Sequence, residues 1–352
     1  MLARRLPENP ILTPAMAPPS RPDFKVVGVF NPGVIRHGDD VVLLLRVAEA
    51  PLKNSGSELA AATFDASSGQ IAIERWAADT PGLDKSDPRI IVVDGRTWLT
   101  SLSHFRVARS TDGVRFEVEP APAMSAATEL ESYGIEDPRI TLLDGTYWIN
   151  YTAVSPHGIA TALASTRDFR KFERHGIIFA PPNRDVTIFP EKIGGSYAAL
   201  HRPMPEGPGE HAIWIARSPD MTAWGEHRLI ASARRDSWDD GKVGGGAVPF
   251  RVRAGGQDAW LAIYHGVKRS TSEYSLGALL LDARDPRRVI GRSSQPILKP
   301  ETDYERSGFF GGVVFTCGVL AEGDRVRVYY GAADGVTAVA DLSLEDILSG
   351  LA

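Results

Sequence analysis

Two stretches decide the fold: DPRIIVVDGRTW at residues 87–98 and DPRITLLDGTYW at residues 137–148. They start 50 residues apart and match in the DPR motif, the apolar run, the Asp-Gly pair and the final tryptophan. A β-branched run that ends in Asp-Gly predicts a strand and a tight hairpin, because glycine adopts the positive φ of the turn. Repeats of about 50 residues that each hold several strands are typical of a β-propeller.

The rest of the chain carries the same kind of signal. Further β-rich runs are VVLLLRV from Val41, SYAALHRP from Ser196, WLAIYHGV from Trp260 and VRVYYGAA from Val326. The best helix candidate is the C-terminal LSLEDILSGL, in which Ser343 is placed to cap and Gly350 to stop it. The pattern predicts an all-β protein.

Hairpin units number five or six, and they start near Val34, Ile90, Ile140, Ile193, Val252 and Val313. A β-sandwich or a pair of β-domains would show similar spacing and stands as the alternative fold. The duplicated block favours the propeller.

Composition excludes several classes of function. The chain has 352 residues and a net charge of −5, so no global positive field draws it to nucleic acid or acidic membranes. A single cysteine, Cys317, cannot form an internal disulfide, which favours a reducing compartment. The proline-rich N-terminus lacks a signal-peptide pattern and no apolar run has transmembrane length, so we expect a cytoplasmic enzyme.

The strongest chemical candidate is the motif Glu136-Asp137-Pro138-Arg139. The proline disfavours a helical conformation at Asp137, so this carboxylate should lie in extended chain where a strand enters the channel. An Asp-Pro pair also occurs in ordinary turns, and Asp87 begins the other copy of the motif, which need not be catalytic.

Cationic and polar residues occur at the strand ends of several units. The set is Arg184, Arg202, Lys242, His265 and Tyr274. Arginine offers a planar fork of donors and lysine a point charge, so together they suit an oxyanion such as phosphate. The sequence has no HExxH, no cysteine pair, no phosphate-loop ending and no GxSxG, which argues against metal, nucleotide and serine-hydrolase sites.

With these motifs the chain resembles glycoside hydrolase family 130, the mannoside phosphorylases and related β-mannosidases. The resemblance runs from about Phe30 to about Ala340. Its landmarks are FNPGVI, LLLRVAE, YGIEDPRIT, NYTAVSPHG, NRDVTIFPEKIGGSYAALHRP, IWIARSPDMTAWGEH, WDDGKVGGG, LAIYHGV, VFTCG and YYGAADG. The resemblance implies a five-bladed β-propeller with the active site in its central channel.

The resemblance also implies roles for individual residues. Asp137 corresponds to the general acid, which in the family acts through the 3-hydroxyl of the mannosyl unit. The phosphate-binding residues of the phosphorylases correspond to Arg184, Arg202, Lys242, His265 and Tyr274. Asn31, Arg46, Asp87 and Asp334 are the expected sugar-binding residues.

An inverting phosphorylase needs one acid, because phosphate itself is the nucleophile. An inverting hydrolase needs a second carboxylate to activate water. The matched positions carry cations, so we expect transfer of a β-mannosyl unit to phosphate, giving α-mannose 1-phosphate, with no cofactor and no metal.

Two other functions stay open. One is an inverting β-mannosidase, whose base would come from Glu131, Glu136, Asp185, Glu191 or Asp239. The other is a non-catalytic carbohydrate-binding propeller. We expect one domain over residues 1–352, with blades in 30–345 after an N-terminal extension, and a homo-oligomer is possible in this family.

Overall fold

The computed structural model describes residues 3–53 and 55–351, and these form five antiparallel sheets arranged as the blades of a propeller. The first strands of the blades lie around the axis and contact one another. The predicted all-β propeller with five blades is therefore confirmed, and the sandwich alternative is wrong. That residues 1–352 form one domain stays a prediction, of which residues 1, 2, 54 and 352 lie outside the described residues.

The first three blades follow one another along the chain. Blade one consists of Phe24–His37, Asp40–Pro51, Leu102–Ser110 and Glu117–Val118. Blade two consists of Ile135–Leu143, Thr146–Ser155, Gly158–Thr166 and Glu173–Phe179. Blade three consists of Asn183–Ile188, Tyr197–Pro203, Ile213–Ser218 and Gly225–Ala231.

The last two blades complete the ring. Blade four consists of Lys242–Gly245, Gln257–Val267, Tyr274–Asp282 and Val289–Arg292, with Phe250–Ala254 as an extra strand on Gln257–Val267. Blade five consists of Val314–Glu322, Arg325–Ala332, Val336–Ser343 and the N-terminal Arg4–Arg5. The start of the chain thus supplies the outer strand of the last blade and closes the ring.

Two hairpins are inserted between the second and third strands of blade one. They are Glu58–Asp65 with Gln70–Ala77, and Ile90–Val93 with Arg96–Leu99. The unit counted from Ile90 is therefore a two-stranded insertion and not a blade. It repeats the hairpin of blade two, with both Asp-Gly turns at positive φ, but lacks the two outer strands of a blade.

Helices are few and short in the described residues. They are the 3₁₀ turns Pro14–Met16 and Glu129–Glu131 and the α-helices Asp303–Arg306 and Leu344–Ser349. The predicted C-terminal helix is confirmed, since the Ser343 side chain accepts a hydrogen bond from the Asp346 N–H and Gly350 is the C-cap. None of the described helices is long and apolar enough to span a membrane.

The apolar core lies between the blades rather than inside any one of them. Leu200 and Ile215 of blade three pack with Trp260 and Leu279 of blade four, and the other four junctions are filled in the same way. A single blade cannot bury its two faces, so the ring is stable only when each blade has both neighbours.

Closure of the ring depends on a buried ion pair. Arg5 donates from Nε to Oε1 of Glu305 at 2.8 Å, and its NH2 donates to Oε2 at 3.0 Å. Glu305 is fully buried and also accepts the hydroxyl of Tyr330 at 2.7 Å. The N-terminal strand is therefore held to blade five by side chains as well as by its ladder.

We expect Arg5→Ala to lower the free energy of unfolding by about 3 kcal/mol, because it leaves the Glu305 charge buried without its partner. The matched control is the neighbouring Arg4→Ala, whose side chain is 80% exposed. It should change stability by no more than about 0.5 kcal/mol. Chemical denaturation of both variants measures the difference, and equal effects would show that the Arg5–Glu305 pair does not hold the ring closed.

Candidate active site

A polar cavity of about 500 Å³ opens at one end of the propeller channel. All five blades contribute to it. Its lining residues are Asn31, Arg46, Arg89, Asp137, Arg184, Asp185, Arg202, Lys242, His265, Tyr274, Phe310, Val313, Phe315 and Asp334. Nine of the ten predicted site residues are among them, and Asp87 is the exception.

Three of the innermost strands are interrupted where they pass the cavity. Register shifts occur between Phe30 and Gly33, between Glu136 and Arg139, and between Arg184 and Thr187. Each interruption holds a residue with positive φ: Asn31 at 49°, Asp137 at 52° and Asp185 at 57°. A β-bulge redirects a side chain away from the sheet, and asparagine and aspartate tolerate this conformation better than most residues. The bulges thus place these three polar side chains in the channel.

Asp137 is buried, with 1% of its surface exposed, and is held on both oxygens. Its Oδ1 accepts from Asn31 Nδ2 and from Arg46 NH1, each at 2.9 Å, and its Oδ2 accepts from Arg184 NH2 at 3.0 Å. Burial acts to raise the pKa of Asp137. The charges of Arg46, Arg184 and Arg139 outweigh burial and hold the pKa of this carboxyl below its ordinary value. The carboxyl is therefore ionised in this arrangement.

The predicted cationic set lies together on the blade three and blade four side of the cavity. Arg202 donates from Nε to Asp185 Oδ2 at 2.7 Å and from NH1 to His211 Nδ1 at 3.3 Å. Lys242 lies over the ring of Tyr274, 4.9 Å from its centroid. These contacts fix the directions of the cations before any ligand binds.

His265 belongs to the same group but is not a cation. Burial, together with the charges of Arg202 and Lys242, lowers the pKa of His265 to about 3, although Asp185 acts to raise it. The imidazole is therefore neutral at working pH and offers one N–H donor. Its ring lies 5.8 Å from that of Tyr274 and 4.7 Å from that of Phe315, which holds it in place.

Close backbone approach explains the glycines of Lys242–Gly245. A Cβ on Gly244 would lie 2.4 Å from His265 Cε1 and 2.5 Å from Asp185 Oδ2. A Cβ on Gly245 would lie 2.4 Å from the Asp185 carbonyl oxygen in the neighbouring blade. The glycines let blade four approach its neighbour, so that residues of both blades share one cavity.

The structure does not bring Asp87 of the first DPR copy into the cavity. Asp87 lies in a turn before the inserted hairpin, where it accepts two hydrogen bonds from the Arg89 guanidinium at 3.0 and 2.7 Å. Without a bulge in an innermost strand, nothing turns this carboxylate into the channel. Arg89 lines the cavity instead, with its guanidinium 3.9 Å from the ring centroid of Phe310.

Sequence reasoning also missed Phe310, Val313 and Phe315 as lining residues, and it treated Asp185 only as a possible base. Asp185 lies beside Arg184 in the quoted NRD stretch, which was the available signal. The apolar residues carry no comparable signal. Among the described residues, no three His, Cys, Asp or Glu side chains are grouped so as to hold a metal ion.

The pKa of Asp334 is shifted in the opposite direction from that of Asp137, although both residues face the cavity. Burial raises the pKa of Asp334 to about 6; Arg46 opposes the rise and the negative Asp137 adds to it. In the unfolded chain the pKa of an aspartate is about 3.9. Between these two pH values the folded protein binds more protons at Asp334 than the unfolded chain does. The free energy of unfolding therefore falls as pH rises from about 3.9 to about 6, and it does not recover above pH 6.

Asp334→Asn should therefore stabilise the protein above about pH 6 and have little effect near pH 4, because the amide has no proton to lose. Asparagine tolerates the φ of 50° at this position, so the backbone should not be strained. Thermal unfolding of both proteins across this pH range tests the expectation. A difference in Tm that does not change with pH would contradict the raised pKa.

The chain is similar to known mannoside phosphorylases. A family model described as beta-1,4-mannooligosaccharide phosphorylase matches residues 88–352. A beta-1,2-mannobiose phosphorylase from Listeria innocua is 43% identical over 351 residues, which are 99% of this chain and 98% of that protein. The solved structure of a beta-1,2-mannobiose phosphorylase from Listeria innocua in complex with beta-1,2-mannobiose superposes with a TM-score of 0.95, at 43% identity and 99% coverage of both chains.

A more distant relative is a beta-1,4-mannooligosaccharide phosphorylase from Ruminococcus albus. It is 32% identical over 250 residues, which are 68% of this chain and 73% of that protein. Residues 88–352, which the family model matches, include the DPR motif of blade two and the strands that carry the cationic set. The chain therefore belongs to glycoside hydrolase family 130.

Proposed function

We propose that the protein is an inverting β-mannoside phosphorylase, which transfers a non-reducing-end β-mannosyl unit to inorganic phosphate and releases α-mannose 1-phosphate. The observation that carries this proposal is one cavity in which a buried carboxylate, Asp137, lies beside Arg184, Arg202 and Lys242. A carboxyl group can supply the proton of the leaving oxygen, and the cations can hold the attacking dianion.

Asp137 is the proposed general acid, and the family resemblance implies that it acts through the 3-hydroxyl of the mannosyl unit. Arg184, Arg202 and Lys242 hold phosphate by charge-assisted hydrogen bonds, with His265 and Tyr274 as further donors. Asn31, Arg46 and Asp334 are the proposed contacts to the sugar. Phosphate is the co-substrate, and that no cofactor is needed stays a prediction.

The alternative of hydrolysis needs a carboxylate that can take a proton from water. Four of the five candidate bases are held in ion pairs with arginines. Glu131 pairs with Arg174, Glu136 with Arg46, Glu191 with Arg251 and Asp239 with Arg234 and Arg292. Asp185 lines the cavity, but the charges around it keep its pKa far below the ordinary range, so it is a weak base. These contacts favour phosphate as the nucleophile.

A non-catalytic carbohydrate-binding protein is less well supported, because sugar binding alone needs neither a buried acid nor an anion site. We also propose a β-1,2 linkage for the substrate. The relative that matches almost the whole chain is the beta-1,2-mannobiose phosphorylase at 43% identity, whereas the beta-1,4-mannooligosaccharide phosphorylase matches 68% of the chain at 32%.

Two further expectations concern the cellular location and the oligomeric state. A cytoplasmic location is supported by the single cysteine Cys317, which is free and buried. A homo-oligomer stays a prediction.

The first test incubates the protein with β-1,2-mannobiose and, separately, β-1,4-mannobiose, with and without inorganic phosphate. We expect α-mannose 1-phosphate and mannose in equal amounts only when phosphate is present, and faster turnover of the β-1,2 substrate. Anomer-specific detection of the sugar phosphate measures the product. Release of mannose at a rate indifferent to phosphate would make the protein a hydrolase.

The second test replaces the acid. Asp137→Asn should lower phosphorolysis by about 10²–10⁴-fold, because the amide cannot deliver a proton. Asparagine also tolerates the φ of 52° at this site. The matched control is Asp144→Asn in the exposed turn of the same blade, where Asn-Gly suits the hairpin as well as Asp-Gly. Circular dichroism checks that both variants are folded, and near-normal turnover by Asp137→Asn would exclude it as the acid.

A further inference from the structure

Arg184 belongs to the proposed phosphate site and also contacts the proposed acid, Asp137. Arg184 lies in the innermost strand of blade three and lines the cavity with the other cations. Its NH2 donates to Asp137 Oδ2 at 3.0 Å. Its Nε lies 3.6 Å from Asp185 Oδ1 and has no hydrogen-bond partner among the described residues. One guanidinium is therefore shared between the acid and the anion site, and part of its donor capacity is unused.

The arginines around Asp137 leave the acid without its proton. Asp137 faces the cations Arg46, Arg184 and Arg139, and their charges favour the ionised form. A general acid must be protonated before the glycosidic bond breaks. Something must therefore weaken these contacts in the course of the reaction, and of the three arginines Arg184 is the one that also belongs to the proposed phosphate site.

We propose that Arg184 makes protonation of Asp137 depend on bound phosphate: the anion draws the guanidinium from the carboxylate, and Asp137 then takes up a proton. This inference rests on the proposed function. Arg46 and Asn31 hold the other oxygen of Asp137, so the carboxyl keeps its position while Oδ2 becomes free to carry the proton.

The charges support this order of events. A phosphate dianion brings two negative charges between Arg184, Arg202 and Lys242. An anion near a carboxyl group, and the loss of a hydrogen bond to its ionised form, both favour protonation. Without phosphate the acid stays ionised, so water entering the cavity finds no proton donor. Phosphate thus serves both as nucleophile and as the ligand that activates the acid.

The proton balance closes over one turnover. Solvent gives one proton to Asp137 when hydrogen phosphate binds. An oxygen of hydrogen phosphate then forms a bond to C1 while the C1–O glycosidic bond breaks, and the proton of Asp137 passes to the leaving oxygen through the 3-hydroxyl. Asp137 is ionised again, and the product leaves as mannose 1-phosphate monoanion, which can lose its own proton to solvent.

Other titratable groups face this region and must be separated from Asp137. Glu136 and Asp334 are near Arg46, Asp185 lies between Arg202 and His265, and His211 contacts Arg202. Lys242, Tyr274 and the buried thiol of Cys317 belong to the same region. A measurement that compares the wild type with Asp137→Asn subtracts the contributions of all these groups.

The experiment measures proton uptake on binding of inorganic sulfate, a tetrahedral dianion that has no proton of its own to exchange near neutral pH. Isothermal titration calorimetry is run to saturation in buffers of different ionisation enthalpy, at a pH between the ordinary carboxyl pKa of about 3.9 and neutrality. No turnover is involved, so the result is independent of whether the protein phosphorolyses or hydrolyses mannosides.

We expect the wild type to take up more protons per bound sulfate than Asp137→Asn, by up to one. Arg184→Gln should lose most of this excess, because the contact that bound sulfate removes is already absent. The matched control is Lys242→Gln, which also removes one cation from the anion site but whose ammonium packs on Tyr274. It should weaken sulfate binding and keep the excess uptake.

Three results would overturn the inference. They are equal proton uptake by the wild type and Asp137→Asn, equal loss of uptake in Arg184→Gln and Lys242→Gln, and failure of the wild type to bind sulfate at all. Failure of the proposed function would be seen separately, as mannoside turnover that ignores phosphate.

Discussion

The ion pairs of Asp137 are the interaction on which the rest of the site depends. This carboxylate belongs to blade two, whereas Asn31 and Arg46 come from blade one and Arg184 from blade three. Buried charges are stable only when they are paired, and loss of one partner leaves the others uncompensated. The pairs therefore tie three blades together at the channel mouth and fix the acid before any ligand arrives. Asp185 extends the network to Arg202 of the same blade and to His265 of blade four, whose Nε2 lies 3.6 Å from Asp185 Oδ2.

The geometry of this network comes from irregular backbone within regular strands. A continuous innermost strand would alternate its side chains between the two faces of a blade and leave few of them directed along the channel. The bulges at Asn31, Asp137 and Asp185 break that alternation at the cavity. The ring of blades fixes where the backbone of each of these residues lies, and the bulges direct their side chains into the channel. Residues distant in sequence therefore meet in a single pocket.

The cavity is electrostatically suited to an anion. Its carboxylates at Asp137 and Asp185 are held by arginines, and its histidine is neutral because it is buried. Asp137 and Asp185 are therefore poor bases for water, whereas the site holds several preorganised donors for an oxyanion, which act without further reorganisation. The same arginines that prepare the phosphate site also hold the acid in its ionised form, so binding and acid chemistry are coupled.

Much of this was predictable from the sequence. The duplicated Asp-Gly hairpins indicated a propeller, because turn chemistry and strand propensity are local properties. The motifs around Asp137, Arg184, Arg202 and Lys242 identified most of the site, because strand-end positions in a propeller converge on its channel.

Only the tertiary structure decided which copy of the motif faces the channel. It also decided how burial and neighbouring charges shift the pKa of each carboxyl group there. Asp87 and Asp137 share a motif, but only Asp137 lies in a bulge of an innermost strand. Asp137 and Asp334 are both aspartates in one cavity, yet their pKa values move in opposite directions. The sequence determined the blades and the kinds of side chain, because these follow from local patterns. Burial and the distances between charges arise only when the five blades close into a ring, so they could not be read from the chain alone.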